Sequence, residues 1–231
     1  MKSPWLQILL LVTALAAAIC GALIGRASLE QLDTLHDEQV DRTIAAALRD
    51  HPLTGEAEPV DPSQFRLPMY VCAGVAWLTG DDSITRFRGV SLLLGALTVL
   101  ATAGLAGTLF DPRVGIVASI LLAFSPYFLA YARVGMTEGD VFAACFVTLA
   151  LWAFVAYLKR PTPIRWVVAG IVLALAIGAK AFAGVLIIIF WILAHSTISE
   201  PKFKLSRMAD RSRWLGRLLA WQIGVIVFSL T

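Results

Sequence analysis

Long apolar runs separated by short charged segments dominate the chain. Six runs are long enough to cross, or nearly cross, a membrane: Pro4–Gly25, Val90–Leu109, Val114–Tyr131, Val141–Leu158, Trp166–Ala194 and Trp214–Leu230. A helix needs about 20 apolar residues to cross the hydrocarbon core. Because Gly178-Ala179-Lys180 interrupts the fifth run, we expect two short spans that meet at Lys180. The pattern therefore predicts about seven transmembrane helices.

The basic residues of the loops fall on one side of this arrangement. With a cytoplasmic N-terminus, the inner connections hold nine of them: Arg113, Lys159, Arg160, Arg165, Lys202, Lys204, Arg207, Arg211 and Arg213. The short outer loops hold only Arg133 and Lys180. Cytoplasmic loops carry the excess of Lys and Arg. We therefore expect the N-terminus in the cytoplasm and residues 27–85 outside it.

Two non-spanning helices are expected within residues 27–85. The stretch LHDEQVDRTIAAALRD, residues 35–50, carries an apolar face at helical spacing, formed by Val40, Ile44, Ala47 and Leu48. The run Phe65–Thr79 is apolar but short, which predicts a helix lying on or dipping into the membrane surface. Reading it as a true span would reverse every later loop and place the basic loops outside.

Composition agrees with a membrane protein. The chain is 58% apolar and 15% charged, against about 45–50% and about 25% in soluble domains. The predicted fold is all-α and integral to the membrane, one domain over residues 1–231: first span 4–25, outer loop 27–85, remaining spans 86–231. The net charge of +3 comes without a basic stripe that would indicate nucleic-acid binding. The three cysteines lie far apart, and no spacing of residues demands a metal.

Ionisable residues gather where this topology places the outer ends of helices. They come from four segments: Asp37 and Glu38 after the first span, Arg66 in SQFRLPMY, Arg133, Glu138 and Asp140 in YARVGMTEGD, and Lys180 in AIGAKAFAG. A carboxylate can serve as a general base, and Arg or Lys can stabilise charge on a leaving phosphate. Their convergence on one face predicts a site for a lipid phosphate and an acceptor at headgroup depth.

Each of these residues also has a structural interpretation. Asp37 and Glu38 suit the positive end of a helix capped by Thr34, and Thr137-x-x-Asp140 is a capping box. Arg66 and Lys180 could be snorkelling anchors, as could Arg86 and Arg88 at the start of the second span. A divalent cation near the carboxylates is compatible with the pattern but not required by it.

In this order, the segments resemble the GT-C membrane glycosyltransferases. The similarity is to the dolichyl-phosphate-mannose–protein mannosyltransferase family, which includes aminoarabinose transferases acting on lipid A. It rests on HDEQVDRTIAAAL, RLPMY, the stretch from ITRFRGVS to YARVGMTEGD, and IGAKAFAG, over about residues 5–195. The resemblance implies an enzyme of the inner membrane that transfers a hexosyl or pentosyl group outside the cytoplasm.

The resemblance also implies roles for the charged residues. Asp37 would be the catalytic base for inverting attack on a polyprenyl-phosphate sugar, with Glu38 supporting it. Arg66, Arg133 and Lys180 would bind the donor phosphate. Glu138 falls where the family commonly has Asp, and Asp140 is its rival if the turn is shifted. The acceptor would be a protein, a lipid or a glycan.

The length of the chain departs from the family pattern. Family members usually run to more than twice this length, so we expect a C-terminal half to be missing and the last span to be cut short. The alternatives are a component of a membrane transporter or flippase, and a non-catalytic membrane scaffold. A transporter would favour a site near the bilayer midplane and internal repeats, and no convincing repeat is present.

Labelling of position 180 separates transport from transfer. In a Lys180→Cys variant lacking the three native cysteines, we expect an impermeant thiol reagent to react from the extracytoplasmic side alone, because Lys180 lies at an outer helix end. Mass spectrometry of right-side-out and inside-out vesicles measures this. Reaction from both sides would contradict the surface site and favour a transport pathway.

Overall fold

The computed structural model describes residues 4–26, 36–50, 66–134 and 140–180, together with 185, 189 and 190. Helix positions 36–38, 41, 47, 50 and 66 are described by their backbone alone. Regular structure in this part of the chain is entirely α-helical: α1 (Pro4–Arg26), α2 (His36–Asp50), α3 (Arg66–Thr79), α4 (Ile84–Leu109), α5 (Pro112–Ala123), α6 (Pro126–Arg133), α7 (Asp140–Lys159) and α8 (Pro163–Ala179).

Three of these helices are long and apolar enough to cross a membrane. They are α1, α4 and α7, with 23, 26 and 20 residues. Helix α4 begins six residues before the predicted span, because the Ser83 hydroxyl accepts a hydrogen bond from the Arg86 N–H at 3.3 Å and caps the helix. Within the described residues at most four spans can be counted, so the predicted total of seven is not confirmed.

The run predicted as one span over residues 114–131 is not one straight helix. The structure divides it into α5 and α6, which are bent by 60° at Phe124-Ser125. Proline at position 126 disfavours a helical conformation at Ser125, which is extended. The Ser125 hydroxyl then caps α6 by accepting from the Phe128 N–H at 3.4 Å. The Ser-Pro pair is therefore a helix break and restart.

Helix α8 ends where the sequence predicts. Its 17 residues stop at Ala179, and Lys180 is the C-cap in an extended conformation, with its N–H donating to the Ala176 carbonyl at 3.1 Å. The second predicted half-span, after Lys180, and the run at 214–230 lie outside the described residues.

Successive spanning helices run in alternating directions. Near the start of α1, Leu10 contacts Gly107 and Gly115, whereas Gly25 near its end lies against Leu92 and Arg133. In the second half of α7 the Trp152 indole donates to the Thr108 hydroxyl at 3.1 Å, and Lys159 at the end of α7 donates to the Thr108 carbonyl. The bundle therefore has two ends. We name them the Lys180 end, where α1, α6 and α8 finish, and the Lys159 end, where α4 and α7 finish.

Helices α2 and α3 pack across the Lys180 end rather than spanning the bundle. Leu67 at the start of α3 lies beside Gly178, and the last residue of α3 is joined to α4 by only four residues. Both ends of α3 are therefore at the same level, which agrees with the predicted non-spanning helix. From α2, Ala45 and Leu48 are buried in the core shared with α3, α4 and α7, while Val40, predicted on the apolar face, is exposed.

Small side chains make the contacts between spans. The buried residues of α1 are Ala14, Ala17, Ala18, Gly21 and Gly25, whereas most of its large apolar side chains, such as Trp5, Leu11 and Leu23, are exposed. This inverts the pattern of soluble helices and is typical of membrane helices, whose backbones approach closely through small residues. The outward side chains are then free to contact lipid.

We expect Gly115→Ala to destabilise the bundle. A Cβ at position 115 would lie 2.6 Å from the Ala103 carbonyl oxygen, and backbone cannot move aside as a flexible side chain can. Overpacking of this kind costs about 1–3 kcal/mol. Thermal unfolding in detergent measures the loss. Gly89→Ala is the control, since nothing lies within 4 Å of its new Cβ. An unchanged midpoint for Gly115→Ala would contradict the close approach of α4 and α5.

Candidate functional site at the Lys180 end

The Lys180 end collects charged residues from distant parts of the sequence. Predicted site residues stand at four of the helix ends there: Arg66, by its backbone, at the start of α3, Arg133 at the end of α6, Asp140 at the start of α7 and Lys180 at the end of α8. Alternating helix directions are what bring them to one end. Glu138 lies outside the described residues.

Asp140 and Lys180 contact each other directly. The Lys180 ammonium donates to Oδ1 of Asp140, joining the first residue of α7 to the cap of α8. The two side chains are 39% and 21% exposed, respectively. The sequence had singled out both residues without pairing them. Lys180 is therefore more than a snorkelling anchor, since its charge is engaged at the surface of the bundle.

The start of α3 lies close to this pair. Leu67 is beside Gly178, with 3.6 Å between the Leu67 Cβ and a Cβ built at Gly178. Gly178 is two residues from Lys180, and Arg66 precedes Leu67. The fold thus places the backbone of Arg66 next to the end of α8. Pro68, in the first turn of α3, is fully buried there.

A second group of basic residues lies where α1, α4 and α6 meet. The Arg133 Nε donates to the Leu129 carbonyl at 3.3 Å, and the Arg133 stem packs against Gly25. Arg88 lies one helical turn before Leu92, which also contacts Gly25, and it is only 4% exposed. A charged side chain in a membrane protein that is buried to this extent marks a functional position by default.

The interpretation of Arg88 as a surface anchor is wrong, because its side chain is buried. Arg88 shares a face with Ser91, Leu92 and Gly95, so helical periodicity directs it inward. Arg86 points away from that face and pairs with Asp81 at 3.2 Å. The spacing of small and buried residues along α4 was the signal that could have separated the two arginines.

A hydrogen-bonded turn holds α3 against α4. Gly80 ends α3 with φ of 68°, a left-handed conformation that glycine adopts without strain. Asp81 then accepts from the Ser83 N–H at 2.9 Å and from the Arg86 Nε at 3.2 Å. The Ser83 backbone and hydroxyl, followed by the Arg86 guanidinium, hold the pKa of Asp81 below its ordinary value of 3.8.

Helix α2 carries the predicted base to the same end. It packs on α3, and Arg42 pairs with Asp82 of the α3–α4 turn at 3.3 Å, with Arg49 4.0 Å from the same carboxylate. Asp37 and Glu38 occupy the first turn of α2. Their side chains are not described, so their catalytic role stays a prediction. The expected helix from Asp37 onward is confirmed.

Metal binding has no support from the described residues. Among them no group of three or more His, Cys, Asp or Glu side chains is arranged to hold an ion. The side chains of Asp37, Glu38 and Glu138 are not among the described ones.

The fold and the Lys180 end define a helical membrane protein that gathers charges at one surface. Residues 66–210, more than half of the chain, match the family model described as dolichyl-phosphate-mannose-protein mannosyltransferase. The chain belongs to this family, whose members are membrane glycosyltransferases of the GT-C type acting with lipid-linked sugar donors. A search of the curated proteins finds no match.

The matched segment includes some predicted site residues and not others. Arg66, Arg133, Glu138, Asp140 and Lys180 lie within it, whereas Asp37 and Glu38 precede it. Family membership therefore rests on α3 and the residues after it. The roles of Asp37 and Glu38 rest on the resemblance of HDEQVDRTIAAAL and on the packing of α2.

We expect the stability contributed by Asp81 to depend on acid pH. Its pKa is lower in the folded protein than in the unfolded chain, so the contribution is complete above the unfolded value and disappears as pH falls through the folded value. Thermal unfolding of the parent and of Asp81→Asn should differ at neutral pH and converge once the pH falls below the lowered pKa of Asp81. A difference that persists unchanged in acid would contradict the role of the ionised carboxylate.

Proposed function

We propose that this chain transfers a sugar from a polyprenyl-phosphate donor to a protein, lipid or glycan acceptor on the outer side of the inner membrane. The observation that carries the proposal is the gathering of Arg88, Arg133, Asp140 and Lys180 at the bundle end across which α2 and α3 pack. Family membership supports the reaction class. The positive-inside pattern supports an extracytoplasmic position for this end.

Asp37 is the proposed general base. Its carboxylate takes the proton of an acceptor hydroxyl as that oxygen attacks the anomeric carbon from the face opposite the phosphate. The bond between the anomeric carbon and the phosphate oxygen breaks, and its electron pair leaves with the polyprenyl phosphate. The sugar is therefore transferred with inversion. Glu38 is proposed to support Asp37, and Glu138 to contact the substrate.

The basic residues are proposed to bind the donor phosphate. During transfer the phosphate changes from a diester to a monoester, so its negative charge grows as the bond breaks. Cations that lie against it stabilise the transition state more than the bound donor. Arg66, Arg88, Arg133 and Lys180 are the side chains proposed for this role.

The distribution of charge favours transfer over transport. The ionisable residues of the described spanning helices lie in or near their terminal turns, as with Arg26 and Lys159, and Arg88 is five residues into α4. A transport site would be expected near the bilayer midplane. Charges at one surface suit a reaction between a lipid-linked donor and an acceptor that approaches from outside.

Substitution of Asp37 is the decisive experiment. We expect Asp37→Asn to reduce sugar transfer in membranes about a thousandfold, equivalent to about 4 kcal/mol of barrier, because the amide cannot accept the acceptor proton. The assay follows labelled sugar from a polyprenyl-phosphate donor into membrane acceptors, with the protein expressed from its own gene.

Asp50→Asn is the matched control, since it makes the same change at the other end of α2. We expect it to retain transfer. Normal transfer by a correctly folded Asp37→Asn protein would exclude Asp37 as the base, and equal loss in both variants would show that the effect comes from disturbing α2.

A further inference from the structure

The contact between Asp140 and Lys180 is a feature that the transfer mechanism does not itself require. The carboxylate is on the first residue of α7, and the ammonium is on the residue that caps α8. Each charge already suits its position, because acids are favoured at helix N-termini and bases at helix C-termini. The hydrogen bond between them adds a fixed direction to the Lys180 side chain.

The fold does not depend on this contact. Helices α7 and α8 pack along their length through a core that includes Ala150, Phe154, Ala169 and Leu173. Both members of the ion pair retain solvent exposure, at 39% and 21%. An ion pair that is exposed to this degree contributes little to stability. A role in holding the lysine is therefore a better account of the contact than a role in holding the helices.

We propose that Asp140 is a positioning residue, which holds the Lys180 ammonium toward the donor phosphate. This inference rests on the proposed function, in which Lys180 binds that phosphate. A lysine stem has four flexible carbon–carbon bonds, and fixing them when a ligand binds costs conformational entropy. A carboxylate that already fixes the stem removes part of that cost. Because an ammonium has three donors, it can bond Asp140 and a phosphate oxygen together.

The experiment compares two probes that differ only in the phosphate. Farnesyl phosphate carries the isoprenoid chain and the anionic group, and farnesol carries the chain alone. Their dissociation constants are measured with the purified full chain in detergent micelles. The ratio of the farnesol constant to the farnesyl phosphate constant isolates recognition of the phosphate, and a general disturbance of the fold would change both constants alike.

We expect Lys180→Met to reduce this ratio about tenfold, because a hydrogen bond to a charged group is lost. Asp140→Asn should reduce it about threefold, the size of effect given by a partly exposed ion pair. Asparagine still favours a helix start, so α7 is retained. Asp140→Glu should restore most of the ratio, because it returns the carboxylate.

Lys159→Met is the matched control. Its ammonium donates to the Thr108 carbonyl at the opposite end of the bundle, and we expect an unchanged ratio. An unchanged or increased ratio in Asp140→Asn, with a reduced ratio in Lys180→Met, would overturn the positioning role alone. An unchanged ratio in Lys180→Met, or no binding of farnesyl phosphate by the parent protein, would instead contradict the phosphate site of the proposed function.

Discussion

Close packing around α4 is the constraint on which the rest of the structure depends. Lipid supplies no hydrophobic force that drives one apolar helix against another, so association relies on close contact between backbones. Gly107 and Gly115 admit Leu10 of α1 between α4 and α5, and Gly104 admits the Trp152 ring of α7. With α1 and α7 held on α4, their ends are at fixed levels. The positions of the charged residues along the bundle axis are fixed with them.

The charged end is built from connections rather than from helix interiors. Gly80, Asp81 and Ser83 return the chain from α3 into α4 within four residues, and Asp82 holds α2 over that turn through Arg42. Asp140 and Lys180 join the start of α7 to the end of α8. In each case a carboxylate pairs with a cation from another element. Polar contacts therefore hold together the end of the bundle, where apolar packing between the spans stops.

The existence of the helices and the convergence of charges could be predicted from the sequence. The bend between two helices and the contacts of individual charged side chains could not. Apolar length predicts α1, α4 and α7 because lipid requires it, and Lys180 ends α8 as expected. Apolar length alone did not reveal the break at Ser125-Pro126, since lipid-facing runs look alike whether straight or bent. Nor did it separate buried Arg88 from exposed Arg86, because that distinction depends on which face of α4 meets α1 and α6. The seven-span total extends beyond the described residues.

The bend between α5 and α6 has a consequence for depth. A helix rises about 1.5 Å per residue, so the eight residues of α6 cover about 12 Å. Inclined at 60° to α5, they advance only about 6 Å along the axis of α5 and about 10 Å sideways across the bundle. Arg133 therefore lies less far along the axis of α5, and nearer to α1 and α4, than it would in a straight helix. A single Ser-Pro pair therefore determines how far along the bundle the Arg133 cation lies.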